Sequence, residues 1–300
     1  MNATELSEAS LVFRASQPRG LAFKTLTSRL HAAGIESAAL DARLLLCAAL
    51  SIDHASLLLD PDLPLGAGAA PLRVLALRRL AREPVSRILG YREFWEVRFK
   101  IAPAVLDPRP ESETLIEVAL EYFADRSSGG RILDLGTGSG MLLGSLLLSL
   151  PQAIGFGVDI SPSACRIARD NLAAFELLSR GAILCGDWAA SLRGEFDLIL
   201  ANPPYIASAA IAQLAPEVRN YDPHLALDGG EDGLVAYRAL IPGLKERLAP
   251  GGLIALELGE GQYKSIESLL AEEFTERARE KPDLDRKRRV ILLRRAGAPD

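Results

Sequence analysis

The chain has 300 residues, room for one large domain or two ordinary ones. Hydrophobic residues at 49% and charged residues at 24% are globular proportions and exclude disorder throughout. The 34 basic and 39 acidic side chains sum to −5, which argues against a chain-wide nucleic-acid coat.

That total is unevenly built. Residues 1–107 carry +2, residues 108–272 carry −10 and residues 273–300 carry +3. Inside the first segment, residues 71–100 alone carry +5. The longest nearly apolar run, residues 141–150, is too short for a membrane span. Residues 1–20 include Glu5 and Glu8 and no long apolar stretch, so no secretory signal is expected. Cys47, Cys165 and Cys185 form no CxxC pair, which points away from a disulfide framework and toward the cytoplasm. His31, His54 and His224 do not cluster, and no metal site is expected.

In chain order, Leu26, Leu30 and Ala33 mark the inner stripe of a first helix, and Leu40, Leu44, Leu45 and Ala48 that of a second. Residues 60–71, rich in Pro and Gly, read as a loop. Residues 72–82 read as a third helix, with Leu72, Leu75 and Leu80 inward and its arginines on a solvated face. A docking contact with an acidic partner surface is the alternative for that basic stretch. Pro84 ends or bends the helix. Residues 90–105, with Phe94, Trp95 and Phe99, suggest a hairpin linker with its aromatics packed. From Gly130 onward, apolar runs at 131–135, 153–160, 182–185, 196–201 and 252–258 alternate with helical stretches, which predicts a parallel sheet covered on both faces. A final strand at 289–293 follows a charged turn and is expected to pair antiparallel at the sheet edge.

Two motifs carry chemistry. The first strand ends at Asp134 and Leu135 and runs into Gly136-Thr137-Gly138-Ser139-Gly140, a turn that lets a ligand approach the backbone. The second strand ends at Asp159, a carboxylate suited to a ribose diol. The third is followed by Asp187 and Trp188, able to bracket an adenine. Three strand tips in this order imply a nucleoside ligand, and with GxGxG they resemble S-adenosylmethionine-dependent methyltransferases more than dehydrogenases. The fourth strand leads into Asn202-Pro203-Pro204-Tyr205. A planar NH₂ group is a poor nucleophile with two donors to orient. The Asn202 side-chain oxygen can accept one and the Pro203 carbonyl the other, while Tyr205 packs on the flat face.

The linker segments Gly90-Tyr91-Arg92-Glu93-Phe94-Trp95 and Pro108-Arg109-Pro110-Glu111-Ser112-Glu113, the run from Asp222-Pro223 to Leu234, and Glu257-Leu258-Gly259-Glu260-Gly261-Gln262 extend the pattern. Together with the tetrapeptide they resemble the protein-(glutamine) methyltransferases that modify peptide chain release factors. That resemblance implies a Rossmann-like α/β fold with a seven-stranded methyltransferase sheet, a small helical amino-terminal domain at 21–88, a hairpin linker at 89–107 and a methyltransferase domain at 108–300. Residues 1–20 have no counterpart and are expected to be disordered. The implied reaction is transfer from S-adenosyl-L-methionine to the side-chain amide nitrogen (N5) of the glutamine in a release factor's Gly-Gly-Gln motif, by a monomer acting in the cytoplasm without a nucleic-acid or membrane partner. Gly136, Thr137, Gly138, Ser139, Gly140, Asp159, Asp187, Trp188 and Asn202 would bind the cofactor. Asn202, Pro203, Pro204 and Tyr205 would hold the glutamine and form the catalytic element. The segment around Pro108, Arg109, Pro110 and Glu113 would shape a lid.

Two other readings compete. An adenine N6-methyltransferase of DNA or RNA shares the tetrapeptide, but it calls for a basic surface near the site, and the segment holding the motif is at −10. A nicotinamide- or nucleotide-binding protein explains the glycine loop but not Asn202–Tyr205.

Overall fold

A computed structural model describes residues 11–124, 129–190, 192–282 and 288–297. The charged turn expected before the last strand lies largely outside them, at residues 283–287. The chain divides into two compact units, one ending at Gly90 and the other beginning at Tyr91.

The first unit is helical: α1 (Arg19–Ala32), α2 (Ala38–Leu50), the short α3 (His54–Leu59), α4 (Ala69–Leu80) and α5 (Val85–Leu89). Asp53 caps α3 by accepting the Ser56 N–H at 2.7 Å. Leu26, Leu30, Leu45, Leu46 and Leu72 form the core. Leu40, Leu44 and Ala33, placed inward by spacing, instead face solvent. The inward stripe of α2 is Ala38, Asp41, Ala42, Leu45 and Leu46. Its charged member, Asp41, is met by Arg79 at 2.6 Å, with both side chains buried. A hydrophobic pattern cannot register a buried ion pair, so the apparent stripe shifts.

The basic stretch likewise departs from a solvated face. Arg79 and Arg87 are buried. Arg78 pairs with Glu83, Arg73 donates to the Leu11 carbonyl, and Arg82 donates to the carbonyls of Ala33 and Gly34. The expected disorder of residues 1–20 needs the same correction. Residues 1–10 lie outside the described residues, but Leu11 and Phe13 are buried in this unit's core. Leu65 N–H donates to the Gln17 carbonyl and Pro18 bridges Pro64, so the segment is tied to the Pro/Gly loop.

The second unit begins with a hairpin, β1 (Tyr91–Phe94) against β2 (Val97–Lys100). Its turn residues Trp95 and Glu96 both have positive φ, the twist that suits a two-residue hairpin. The expected linker is built into this unit. Asn171 brackets Lys100 with one bond to its N–H and one to its carbonyl, and fully buried Phe99 meets Phe175 edge-on at 5.1 Å.

Next come β3 (Arg131–Leu135), β4 (Ile154–Asp159), β5 (Gly181–Cys185), β6 (Phe196–Ala201), β7 (Leu248–Glu257), β8 (Arg279–Pro282) and β9 (Arg288–Arg294). They form a seven-stranded sheet in the order β5-β4-β3-β6-β7-β9-β8. The first five run parallel, whereas β9 is antiparallel to both β7 and β8. The edge expected for the last strand thus belongs to β8, whose Arg-Glu-Lys-Pro sequence has the charge and proline of an edge strand and no apolar alternation. Helices α6 (Glu113–Phe123), α7 (Met141–Ser149) and α8 (Pro162–Ala174) bury their apolar faces in one core. After the short α9 (Pro216–Tyr221), α10 (Val235–Leu240) and α11 (Tyr263–Glu273) contribute to a second core. The strand order reverses between β3 and β6. Ligands of open α/β sheets bind at such a switch point, outside the carboxyl ends of the strands.

Candidate active site

At the end of β3, Gly136, Gly138 and Gly140 all have positive φ, at 72°, 55° and 74°. The Thr137 hydroxyl donates to Asp134 at 2.6 Å, and the N–H groups of Gly136 and Thr137 donate to the Val158 carbonyl. Burial pushes the Asp134 carboxyl up to about 7, and the nearby Asp159 charge adds to the effect. At the tip of β4, Asp159 accepts the Gly138 N–H at 2.8 Å on one oxygen and the Ser161 N–H at 2.9 Å on the other. Each oxygen keeps a further acceptor site, so the carboxylate is aimed without being saturated.

These groups open on a cavity of ≈ 490 Å³. Gly136, Thr137, Gly138, Ser139, Asp159, Asp187, Trp188, Asn202 and Pro204 are in its wall. Gly140 is not. A Cβ there would sit 3.0 Å from Ala168, so this glycine lets α7 close on α8 and leaves the wall to its neighbours. Trp188 takes φ 45°, with its ring 3.5 Å from where a Gly136 Cβ would stand.

Asn202 also borders a second cavity of ≈ 240 Å³, where Pro203 and Tyr205 replace the glycine loop and Arg109, Glu111, Glu257 and Arg289 supply charge. The Asn202 side-chain nitrogen donates to the Ser112 hydroxyl at 3.0 Å. That hydroxyl donates to Glu257 at 2.6 Å, and the Tyr205 hydroxyl reaches the other Glu257 oxygen at 3.3 Å. Among the described residues, nothing donates to the Asn202 side-chain oxygen or to the Pro203 carbonyl. Both remain available as acceptors. Burial pushes the Glu257 carboxyl up to about 7, while the bonds from Ser112 and Tyr205 and the charge of Arg289 pull against it. Burial and the neighbouring Glu257 likewise raise the Tyr205 hydroxyl well above its ordinary value.

The backbone around the tetrapeptide is pinned from outside. Gln262 donates to the carbonyls of Tyr205 and Gly233 and accepts the Gly259 N–H. Ile206 exchanges bonds with Leu227 and Gly229. Arg109 pairs with buried Asp222 at 2.6 Å, which fixes the Pro-Arg-Pro segment. Among the described residues, no group of three or more His, Cys, Asp and Glu is arranged to hold a metal ion.

Residues 22–90 match the PrmC N-terminal domain, and residues 112–241 match the Methyltransferase small domain. The release factor glutamine methyltransferase of Bradyrhizobium diazoefficiens is 50% identical over 250 residues, covering 82% of this chain and 84% of that protein. The protein of the same name from Rhodospirillum rubrum is 44% identical over 295 residues, covering 98% and 88%. The chain belongs to the release factor glutamine methyltransferase family. A solved structure of the T. thermophilus 16S rRNA N2 G1207 methyltransferase, in complex with AdoMet and guanosine, overlays with a TM-score of 0.50 at 21% identity. It covers 68% of this chain and 49% of that one, and it shows the shared fold alone.

Within this release factor glutamine methyltransferase family member, the glycine loop, Asp159, Asp187, Trp188 and the tetrapeptide converge on adjoining cavities as their strand-tip positions require. Ser112 and Glu257 lie inside motifs that carry the family resemblance, yet no role for either follows from residue type. They meet across 145 positions of sequence, a contact to which local spacing is blind.

Proposed function

We propose that this chain transfers a methyl group from S-adenosyl-L-methionine to the side-chain amide nitrogen of the glutamine in the Gly-Gly-Gln motif of peptide chain release factors. The observation that carries this reading is the position of Asn202. It borders both cavities, its nitrogen is engaged by Ser112, and its oxygen is left as an acceptor.

The larger cavity fits the cofactor. A Cβ at Gly136 or Gly138 would meet no atom closer than 3.5 Å, so glycine there keeps space open for a ligand against the backbone. Asp159 offers two aimed carboxylate acceptors for a ribose diol, and Trp188 offers a flat apolar face. Bound there, S-adenosylmethionine supplies a methyl group on a positively charged sulfur.

The chain's own residues prepare the nucleophile. An amide nitrogen is weakly nucleophilic because its lone pair is delocalised. With one N–H accepted by the Asn202 oxygen and the other by the Pro203 carbonyl, the NH₂ group is held in one orientation, its lone pair aimed between the cavities. The same acceptors stabilise the positive charge that grows on nitrogen as the new bond forms, and the charge is discharged when the nitrogen gives up one of its two protons to water. Tyr205, with its hydroxyl held by Glu257, gives the flat face of the amide a rigid wall. The names of the relatives support a release factor as the substrate.

The test is a methyl-transfer assay with three acceptors: an intact release factor, its Gln→Ala variant in the Gly-Gly-Gln motif, and adenine-containing DNA. Transfer to the intact factor alone is expected. Transfer to DNA, or equal transfer to the Gln→Ala variant, would overturn the reading.

A further inference from the structure

A carboxamide has two ends of nearly the same shape, and only one accepts hydrogen bonds. If Asn202 turned over, its NH₂ group would face the substrate's NH₂ group, donor against donor. Something must set its orientation, and the tetrapeptide by itself does not.

We propose that Glu257 and Ser112 form a directional hydrogen-bond relay that holds the Asn202 oxygen toward the substrate amide, making both of them positioning residues for methyl transfer. This rests on the functional reading above and deepens it.

The direction follows from counting protons. An ionised carboxylate only accepts. The single Ser112 hydroxyl proton therefore goes to Glu257, at 2.6 Å. The Ser112 oxygen then turns an acceptor site toward Asn202, which must answer with its nitrogen, at 3.0 Å. The oxygen of Asn202 is thereby left for the substrate. Ser112 and Glu257 are each only 1% exposed, so water does not compete for these bonds. The relay is anchored at its far end, where the Tyr237 hydroxyl donates to the Glu257 carbonyl at 2.7 Å. It joins the turn before α6, the end of β7 and the loop after β6, three segments distant in sequence.

The direction also depends on protonation. A protonated Glu257 can donate to Ser112, and the Ser112 proton is then free for Asn202. That reversed chain draws the Asn202 oxygen toward Ser112 and turns its nitrogen to the substrate. The groups acting on the Glu257 carboxyl are Ser112 and Tyr205 through hydrogen bonds, Arg289 on β9, which favours its ionised form, and Glu111, which opposes it, while Tyr237 bonds only the main-chain carbonyl. Turnover should therefore fall toward acid.

The experiment uses the full chain with S-adenosylmethionine and a peptide carrying Gly-Gly-Gln, comparing wild type with Ser112→Ala, Ser112→Thr and Glu257→Gln. Folding is checked by circular dichroism, and cofactor affinity is measured by calorimetry. Ser112→Ala should lower kcat about 10- to 100-fold, the scale of a misplaced reacting group, with a much smaller change in cofactor affinity, since Ser112 also borders the larger cavity. Ser112→Thr keeps the hydroxyl and should recover most of the loss. Glu257→Gln cannot titrate whichever way its amide turns, so the acid limb of kcat/KM should vanish. Ser112→Ala at wild-type kcat, or an unchanged acid limb in Glu257→Gln, overturns the relay. Should Ser112→Ala not fold, Glu257→Gln and Ser112→Thr decide it. A folded wild type that leaves the peptide unmethylated overturns the functional reading instead, so the two failures are distinguishable.

Discussion

The two units use buried charge in opposite ways. In the helical unit, Arg79 and Asp41 bury each other at 2.6 Å, and Arg73 and Arg82 donate to backbone carbonyls. Each charge is answered locally, and the result is structure. In the sheet unit, Asp134 and Glu257 are buried carboxyls without a facing cation at ion-pair distance among the described residues, and burial pushes each up to about 7. Both sit at strand ends beside the cavities. The sheet unit also holds a matched pair, Arg109 with buried Asp222, which fixes the segment beside the cavities, whereas its two unmatched carboxyls sit where perturbed groups of a functional site are expected.

The largest effect is expected in the helical unit. Asp41→Ala removes the carboxylate facing the buried Arg79 guanidinium, which keeps its bond to the Glu83 carbonyl, and should cost about 3–5 kcal/mol, read as a shift in the unfolding transition. An effect near that of a surface substitution would mean that the pair is no scaffold. In the sheet unit, Asn202→Ala removes an acceptor that acts on the transition state. Turnover should fall about 10²- to 10³-fold, with the affinity for S-adenosylmethionine nearly intact by calorimetry. Parallel loss of turnover and cofactor affinity would assign Asn202 to cofactor binding alone.

A pH titration sharpens the contrast at smaller scale. The Asp134 and Glu257 pKa values are raised above those of the unfolded chain, to about 7. Their contribution to stability is therefore complete below pH 4 and is lost as pH rises through 7. Asp134→Asn should flatten that decline by on the order of 2 kcal/mol, once relaxation around the ionised carboxylate is allowed for. A wild type whose unfolding free energy is flat from pH 5 to 8 would contradict it. The smallest effect is expected at Asp159, where Asp159→Ala should weaken cofactor binding by more than about tenfold. Unchanged affinity would remove the carboxylate from the site.

The sheet unit was far more legible from sequence than the helical one, for a physical reason. Strand tips announce themselves: an apolar run ends, and Gly136, Asp159, Trp188 or Asn202 follows at the position where a parallel sheet presents ligands. Helix faces are read from apolar spacing alone, so the spacing points Leu40 and Leu44 inward while Asp41, the residue that does turn inward, carries a charge. β8 was silent because an edge strand needs no apolar face. Gly140 matched the loop motif but serves helix packing, a distinction that only the third dimension makes. Ser112 and Glu257 stayed mute because their meaning lies in a contact across the fold.

The acceptors around Asn202 are proposed to present a glutamine amide for methylation. The most direct measurement is fragment mass spectrometry of a release factor treated with wild type and, separately, with Asn202→Ala. Wild type should add one methyl group to the side chain of the Gly-Gly-Gln glutamine, and the variant about 10²- to 10³-fold less at equal time. A methyl group on any other residue, or equal modification by the variant, would contradict it.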